Sequence, residues 1–204
     1  MQQFNYIVFR RPLPGLVTFV KEMWVLSNEI QLNSNLNEHD ENHKLRTFYF
    51  ETLLLPQFPF GMIDYNAIAS ILNHDGGRVE DGRDINHGDR GAELYRKEVP
   101  RHFPWLDHNS NAYAIAKHNQ SYGDNGKKPI LENMYVPKNI EGKIFALVGD
   151  ADRGDLPRCD FFDKVDLGYI NTEFAKQFFN TKMHRDLYNN GINKLKISLK
   201  ELLR

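Results

Sequence analysis

The chain has 204 residues, 41% hydrophobic and 26% charged, with a formal net charge of −1, as expected of one globular domain large enough to bury a core. That balance gives no electrostatic case for nucleic acid or a membrane surface as partner. A single cysteine, Cys159, excludes an intrachain disulfide and any cysteine-rich zinc site.

No stretch approaches the ~20 apolar residues of a membrane span. The opening MQQFNYIVFRRPLPG has neither a long apolar core nor a small-residue cleavage site. A cytoplasmic protein is therefore expected, with secretion as an effector, by a route needing no cleaved signal, left open.

From Pro14, the residues Leu16, Phe19, Val20, Met23 and Leu26 recur at helical spacing and predict an amphipathic helix over 14–30. After a polar loop, HKLRTFYFETLLL reads as a helix with His43 in its first turn, although Phe48, Tyr49 and Phe50 would also suit a strand. PQFPFG ends it. Asp64 is the expected N-cap of the next helix, whose apolar stripe is Ile68, Ile71 and Leu72. Gly76-Gly77 stop that helix just after His74-Asp75.

Residues 76–86 read as a loop, and 87–98 as a helix from near His87 to before Pro100. NAYAIAKHNQ is a short helix with Ala112, Ile115 and Ala116 on one face and His118 close to it. The stretch 121–142 is irregular, a loop or a strand pair. KIFALVGDADR carries Ile144, Leu147, Val148 and Ala151 at helical spacing. In the tail, NTEFAKQFFNTKMHRDL and NKLKISLKELLR both read as helical. The expected fold is predominantly all-α with one long irregular insertion, without internal repeats or low-complexity sequence.

The chemistry gathers around His74-Asp75. Neighbours on a helix point about 100° apart, so the two can grip one ion only from the side, with further ligands arriving from elsewhere. His43, His87, His118 and Asp152 are the candidates, each in its own predicted helix. Nitrogen and oxygen donors without thiolates suit Mn, Fe, Ni, Zn or Mg. Asp150 lies two residues before Asp152 and should face away from it. GDNGKK lacks the spacing and the Ser/Thr of a phosphate-binding P-loop. Phe103, Trp105 and Tyr113 read as core or pocket wall, Cys159 as a structural thiol, and His102, His108 and His184 as surface residues.

Taken in order, His43, His74-Asp75 and Asp152 resemble the HD-domain superfamily of metal-dependent phosphohydrolases. HKLR resembles the His-x-x-Arg opening of that family's first helix. LNHDGGRVEDGRDINHGDRGAEL and ALVGDADRGDLPRCDFFDKVDLGYI resemble two further segments of one bacterial subgroup. The likeness spans 39–170, which would make 1–38 a lead-in with a helix and 171–204 a helical extension of the same domain. It departs at GDLPR, where a proline enters a segment that is helical in the family, and His39 competes with His43 as the first histidine.

The resemblance implies a divalent metal cofactor, one ion or two, with His43, His74, Asp75 and Asp152 holding the first. His87 and His118 match positions that bind a second ion or contact phosphate, and Asp75 would orient water or take its proton. Arg78, Arg153 and Arg158 would meet the substrate phosphate, Arg78 having a salt bridge to Asp81 or Asp84 as its alternative role. The implied activity is hydrolysis of a phosphoester in a nucleotide or other small phosphorylated molecule.

Two other readings compete. One is a metal-free phosphodiesterase like the bacterial effector domains that act on phosphoribosyl-linked ubiquitin, with Glu80 working beside His43 or His118. The other is a non-catalytic domain that binds a nucleotide or a partner.

Overall fold

The structure, a computed structural model, describes residues 15–37, 39, 41–59, 61–81, 84–119, 139–155, 165 and 167–180. Its regular elements among these residues are helical: α1 (Leu16–Glu29), α2 (Glu41–Leu54), α3 (Met62–Asn73), α4 (His87–His102), α5 (His108–Lys117), α6 (Ile140–Gly154) and α7 (Glu173–Phe179), with 3-10 turns at Leu55–Gln57 and Leu167–Tyr169. The fold is predominantly all-α. None of the described helices is long and apolar enough to cross a membrane.

The expected stripe of α1 is buried throughout. It lies against α3, where Phe19 meets Tyr65 edge to face at 5.1 Å between ring centroids, and Phe19 also meets Phe103, at the end of α4, at 5.2 Å. Trp105 leans on Phe19 as well, although it is half exposed. α6 forms the centre, packed on α2, α3 and α5, with α4 lying on α5. Ile144, Leu147, Val148 and Ala151, the residues that predicted α6, are completely buried.

α2 has no polar face: Leu45, Thr47, Phe48, Phe50, Glu51 and Leu54 are all buried. The aromatic run that would also suit a strand is therefore the signature of an interior helix, since burial on every side removes the amphipathic pattern.

Two boundaries correct the sequence reading. Asp64 does not cap α3. The helix begins at Met62 after Gly61, whose φ of 145° suits glycine, and Asp64 Oδ2 accepts from the Gly61 amide at 2.8 Å. The carboxylate thus serves the helix N-terminus from the third position. α4 also runs through Pro100 to His102. A proline so near the end forfeits only the bond to the Arg96 carbonyl, and Phe103 still donates to Val99 at 3.0 Å.

Candidate metal centre

Five helices bring one end each to the same place. His43 lies in the first turn of α2, His74 is the C-cap of α3, and Asp75 follows it. His87 opens α4, His118 is the C-cap of α5, and Asp152 sits in the last turn of α6. Three of these ends are C-termini, whose partial negative charge favours a cation.

The histidines are aimed by their second nitrogens. His74 Nδ1–H donates to the Ile71 carbonyl at 2.6 Å, His118 Nδ1–H to Ile115 at 2.7 Å, and His87 Nδ1–H to Asp84. Each uses the carbonyl three residues back, and at the ends of α3 and α5 this satisfies an acceptor the helix leaves open. His43 Nδ1–H donates instead to Asp155 Oδ2 at 2.8 Å, while Arg46 Nε holds the other oxygen at 2.6 Å. With every Nδ1 tied, each Nε2 faces the interior, as a lone pair on a neutral ring and as an N–H on a charged one. Such outer partners fix the tautomer of metal-binding histidines.

The inward-facing donor atoms fall into overlapping groups: two share Asp75, and a third, of His74, His118 and Asp152, links them. In the first, His43 Nε2 lies 3.2 Å from His74 Nε2, 3.2 Å from Asp75 Oδ2 and 3.4 Å from Asp152 Oδ1. His74 Nε2 lies 3.4 and 3.7 Å from the same two oxygens. Donors about 2.1 Å from one ion stand roughly 3.0–3.4 Å apart, so these separations match a shared cation.

In the second group, Asp75 Oδ1 is 3.2 Å from His87 Nε2 and 3.5 Å from His118 Nε2, and the two nitrogens are 3.0 Å apart. Asp75 therefore bridges the groups with one oxygen in each. The buried His/Asp groups could hold a metal ion, and the donor chemistry fits one. A bound cation, or a proton on one ring, removes the repulsion between facing imidazole nitrogens.

The electrostatics point the same way. Burial works against a charge on His74, but Asp75 and Asp152 outweigh it and lift its pKa to about 10. Burial would raise Asp75 and Asp152 too, yet the surrounding histidines hold both well below the usual carboxylate range. Burial pushes His118 down. The two ionised carboxylates favour positive charge at this point, carried by a protonated His74 or by a bound cation.

The remaining candidates are placed as follows. Arg78 is buried against the second group, with Nε 3.4 Å from Asp75 Oδ1 and Nη2 3.3 Å from His87 Nε2. Arg153 turns inward and donates from Nη2 to the His118 carbonyl at 2.9 Å, bracing the end of α5. Asp150 faces away from Asp152 and accepts from the amides of Asn171 and Thr172, anchoring the start of α7. His39 sets its ring edge against His43, 5.3 Å between centroids, and contacts Asp81. It is His43, not His39, whose Nε2 enters the cluster.

Glu80 is exposed and belongs to none of the metal-capable groups. His102 is exposed, and His108 is partly buried beside the Tyr95 hydroxyl. Arg158, Cys159, His184, the irregular stretch up to residue 138 and the tail beyond 180 lie outside the described residues.

Sequence reasoning missed Asp155 and Arg46 as the pair that aims His43. The signal was present in DADRGD, where Asp152 and Asp155 are three apart and share one helix face. No family model, no curated protein and no solved structure matches the chain.

Proposed function

We propose that the chain is a metal-dependent phosphohydrolase or phosphodiesterase of the HD type, acting on a phosphoester of a nucleotide or another small phosphorylated molecule. The observation that carries this reading is the grouping of His43, His74 and Asp75, with Asp152 Oδ1 3.4 Å from His43 Nε2 and 3.7 Å from His74 Nε2, in the family's order, and with Asp75 shared by a second histidine pair. The 39–170 region would be the hydrolase core, since every residue of the cluster falls within it.

A divalent ion held there acidifies water and draws charge from a phosphoryl oxygen. His43, His74, Asp75 and Asp152 are the residues that would hold it. Asp75, kept ionised by its histidine neighbours, would orient the attacking water through a carboxylate oxygen. Arg78 lies beside Asp75, where its planar fork would meet negative charge building on the phosphoryl oxygens. His118, pushed towards the neutral form by burial, would offer Nε2 as ligand or proton acceptor. The helix ends enclosing these groups keep bulk water from screening them.

The test is hydrolysis of bis-p-nitrophenyl phosphate after chelation and reloading with Mn, Fe, Ni, Zn or Mg. Activity should return with at least one metal and fall by about a hundredfold or more in Asp75→Ala. Turnover that survives chelation, or survives in Asp75→Ala, would contradict the proposal.

A further inference from the structure

Resting on the metal-centre reading, we propose that Arg78 is the resident cation of the second donor group. The chain would then bind one divalent ion firmly and a second only when the guanidinium is drawn away. The guanidinium touches two of that group's three donor atoms: Asp75 Oδ1, 3.4 Å from Nε, and His87 Nε2, 3.3 Å from Nη2. Nε and Nη2 lie on one edge of the planar group, so Arg78 spans the two donors as a single fork.

His87 has no freedom to turn this lone pair elsewhere, because its Nδ1–H donates to the Asp84 carbonyl. The third nitrogen, Nη1, reaches the Glu80 carbonyl at 3.4 Å and fixes the plane. Arg78 is itself buried. The first group, by contrast, uses the other oxygen of Asp75, Oδ2, which lies 3.2 Å from His43 Nε2 and 3.4 Å from His74 Nε2.

A dication among Asp75, His87 and His118 would share two donors with a guanidinium only a few ångströms away. Buried like charges at that range are poorly screened. The second ion must therefore displace Arg78 or bind weakly beside it. A phosphate group is the anion whose geometry draws a guanidinium off by paired hydrogen bonds. Substrate arrival and completion of the second half-site are thereby linked through one side chain.

The experiment is titration of metal-free protein with Mn²⁺ alone, followed by calorimetry and by electron paramagnetic resonance, which distinguishes isolated from coupled ions. Wild type should bind one ion, with a second weaker by at least about tenfold. Arg78→Gln should bind two, its second constant tightened by at least about tenfold, with the coupled signal appearing at two equivalents. Arg78→Gln/His87→Gln should return to one ion.

Two ions of similar affinity in wild type would overturn the proposal, even if neither variant folds. A folded Arg78→Gln, by its circular dichroism, that still binds a single ion would also overturn it. If wild type takes up no ion, the metal-centre reading itself fails, an outcome distinct from these two.

Discussion

Glu51 sits two turns beyond His43 on α2, completely buried, and neither carboxyl oxygen has a hydrogen-bond partner among the described residues. Burial lifts its pKa well above the usual range and Asp64 adds to this, while His74 opposes. The folded protein thus holds the Glu51 proton more tightly than the unfolded chain does. Its contribution is whole below the unfolded value near 4.5 and is lost as pH rises towards the raised folded value. Glu51→Gln keeps the shape without the charge. Its stability relative to wild type should grow with pH above 4.5, by up to about 1.4 kcal/mol per unit until the folded carboxyl ionises. Urea unfolding at pH 4, 6 and 8 measures that gap, and a gap independent of pH would show that the carboxyl is not held neutral.

Single residues also mark the limit of what the sequence discloses. His74-Asp75 stands out as an adjacent pair, and His43, His87, His118 and Asp152 as candidates, because donor types and their order are written in one dimension. The tethering of Nδ1 is not. That His74, His87 and His118 each return to a carbonyl three residues back, while His43 needs Asp155, depends on where helices end. Arg153 shows the same limit: its charge suggested phosphate, and nothing in the sequence tells that its Nη2 donates to the His118 carbonyl.

At the scale of elements, the two glycines after His74-Asp75 do different work. Both end α3 in sequence terms. In the structure, a Cβ on Gly76 would meet only the Asn73 carbonyl oxygen, at 3.2 Å, whereas one on Gly77 would drive into the α4 backbone at His87 and Gly91, closer than real side chains ever come. Gly88 similarly admits α5, since its Cβ would lie 2.7 Å from the Ala116 carbonyl oxygen. These close passages let His87 and His118 reach Asp75.

Gly77→Ala should therefore destabilise by about 3 kcal/mol or more, as backbone atoms cannot yield as side-chain tips do. Gly76→Ala should cost under about 1 kcal/mol. Thermal unfolding of the pair decides the point, and equal losses would contradict the packing described. Period and stop signals give α3 its extent, but they cannot say which helix crosses behind the stop. α2 illustrates the complementary case, where burial on all sides erases the amphipathic stripe and leaves only length and flanking breakers as guides.

For the molecule as a whole, the cluster joins α2, α3, α4, α5 and α6, elements spread from residue 41 to residue 154. No short stretch of chain carries the site, so an ion binding there binds the folded state alone. Saturation at about a hundred times the dissociation constant adds about 2.7 kcal/mol, which for a chain of this size raises the melting temperature by roughly 5–10 °C. The fold class was legible because helical periodicity is clear in α1 and α6. The arrangement around α6 was not, since it follows from which buried faces find one another.

The central claim, a metal centre at the meeting of these helices, is tested most directly by measuring bound metal on purified wild type and Asp75→Ala after loading with Mn, Fe, Ni, Zn or Mg in turn. At least one ion per wild-type chain, with a raised melting temperature, and both lost in a folded Asp75→Ala, is the predicted result. No ion from any of the five, or the same content in Asp75→Ala as in wild type, would contradict it.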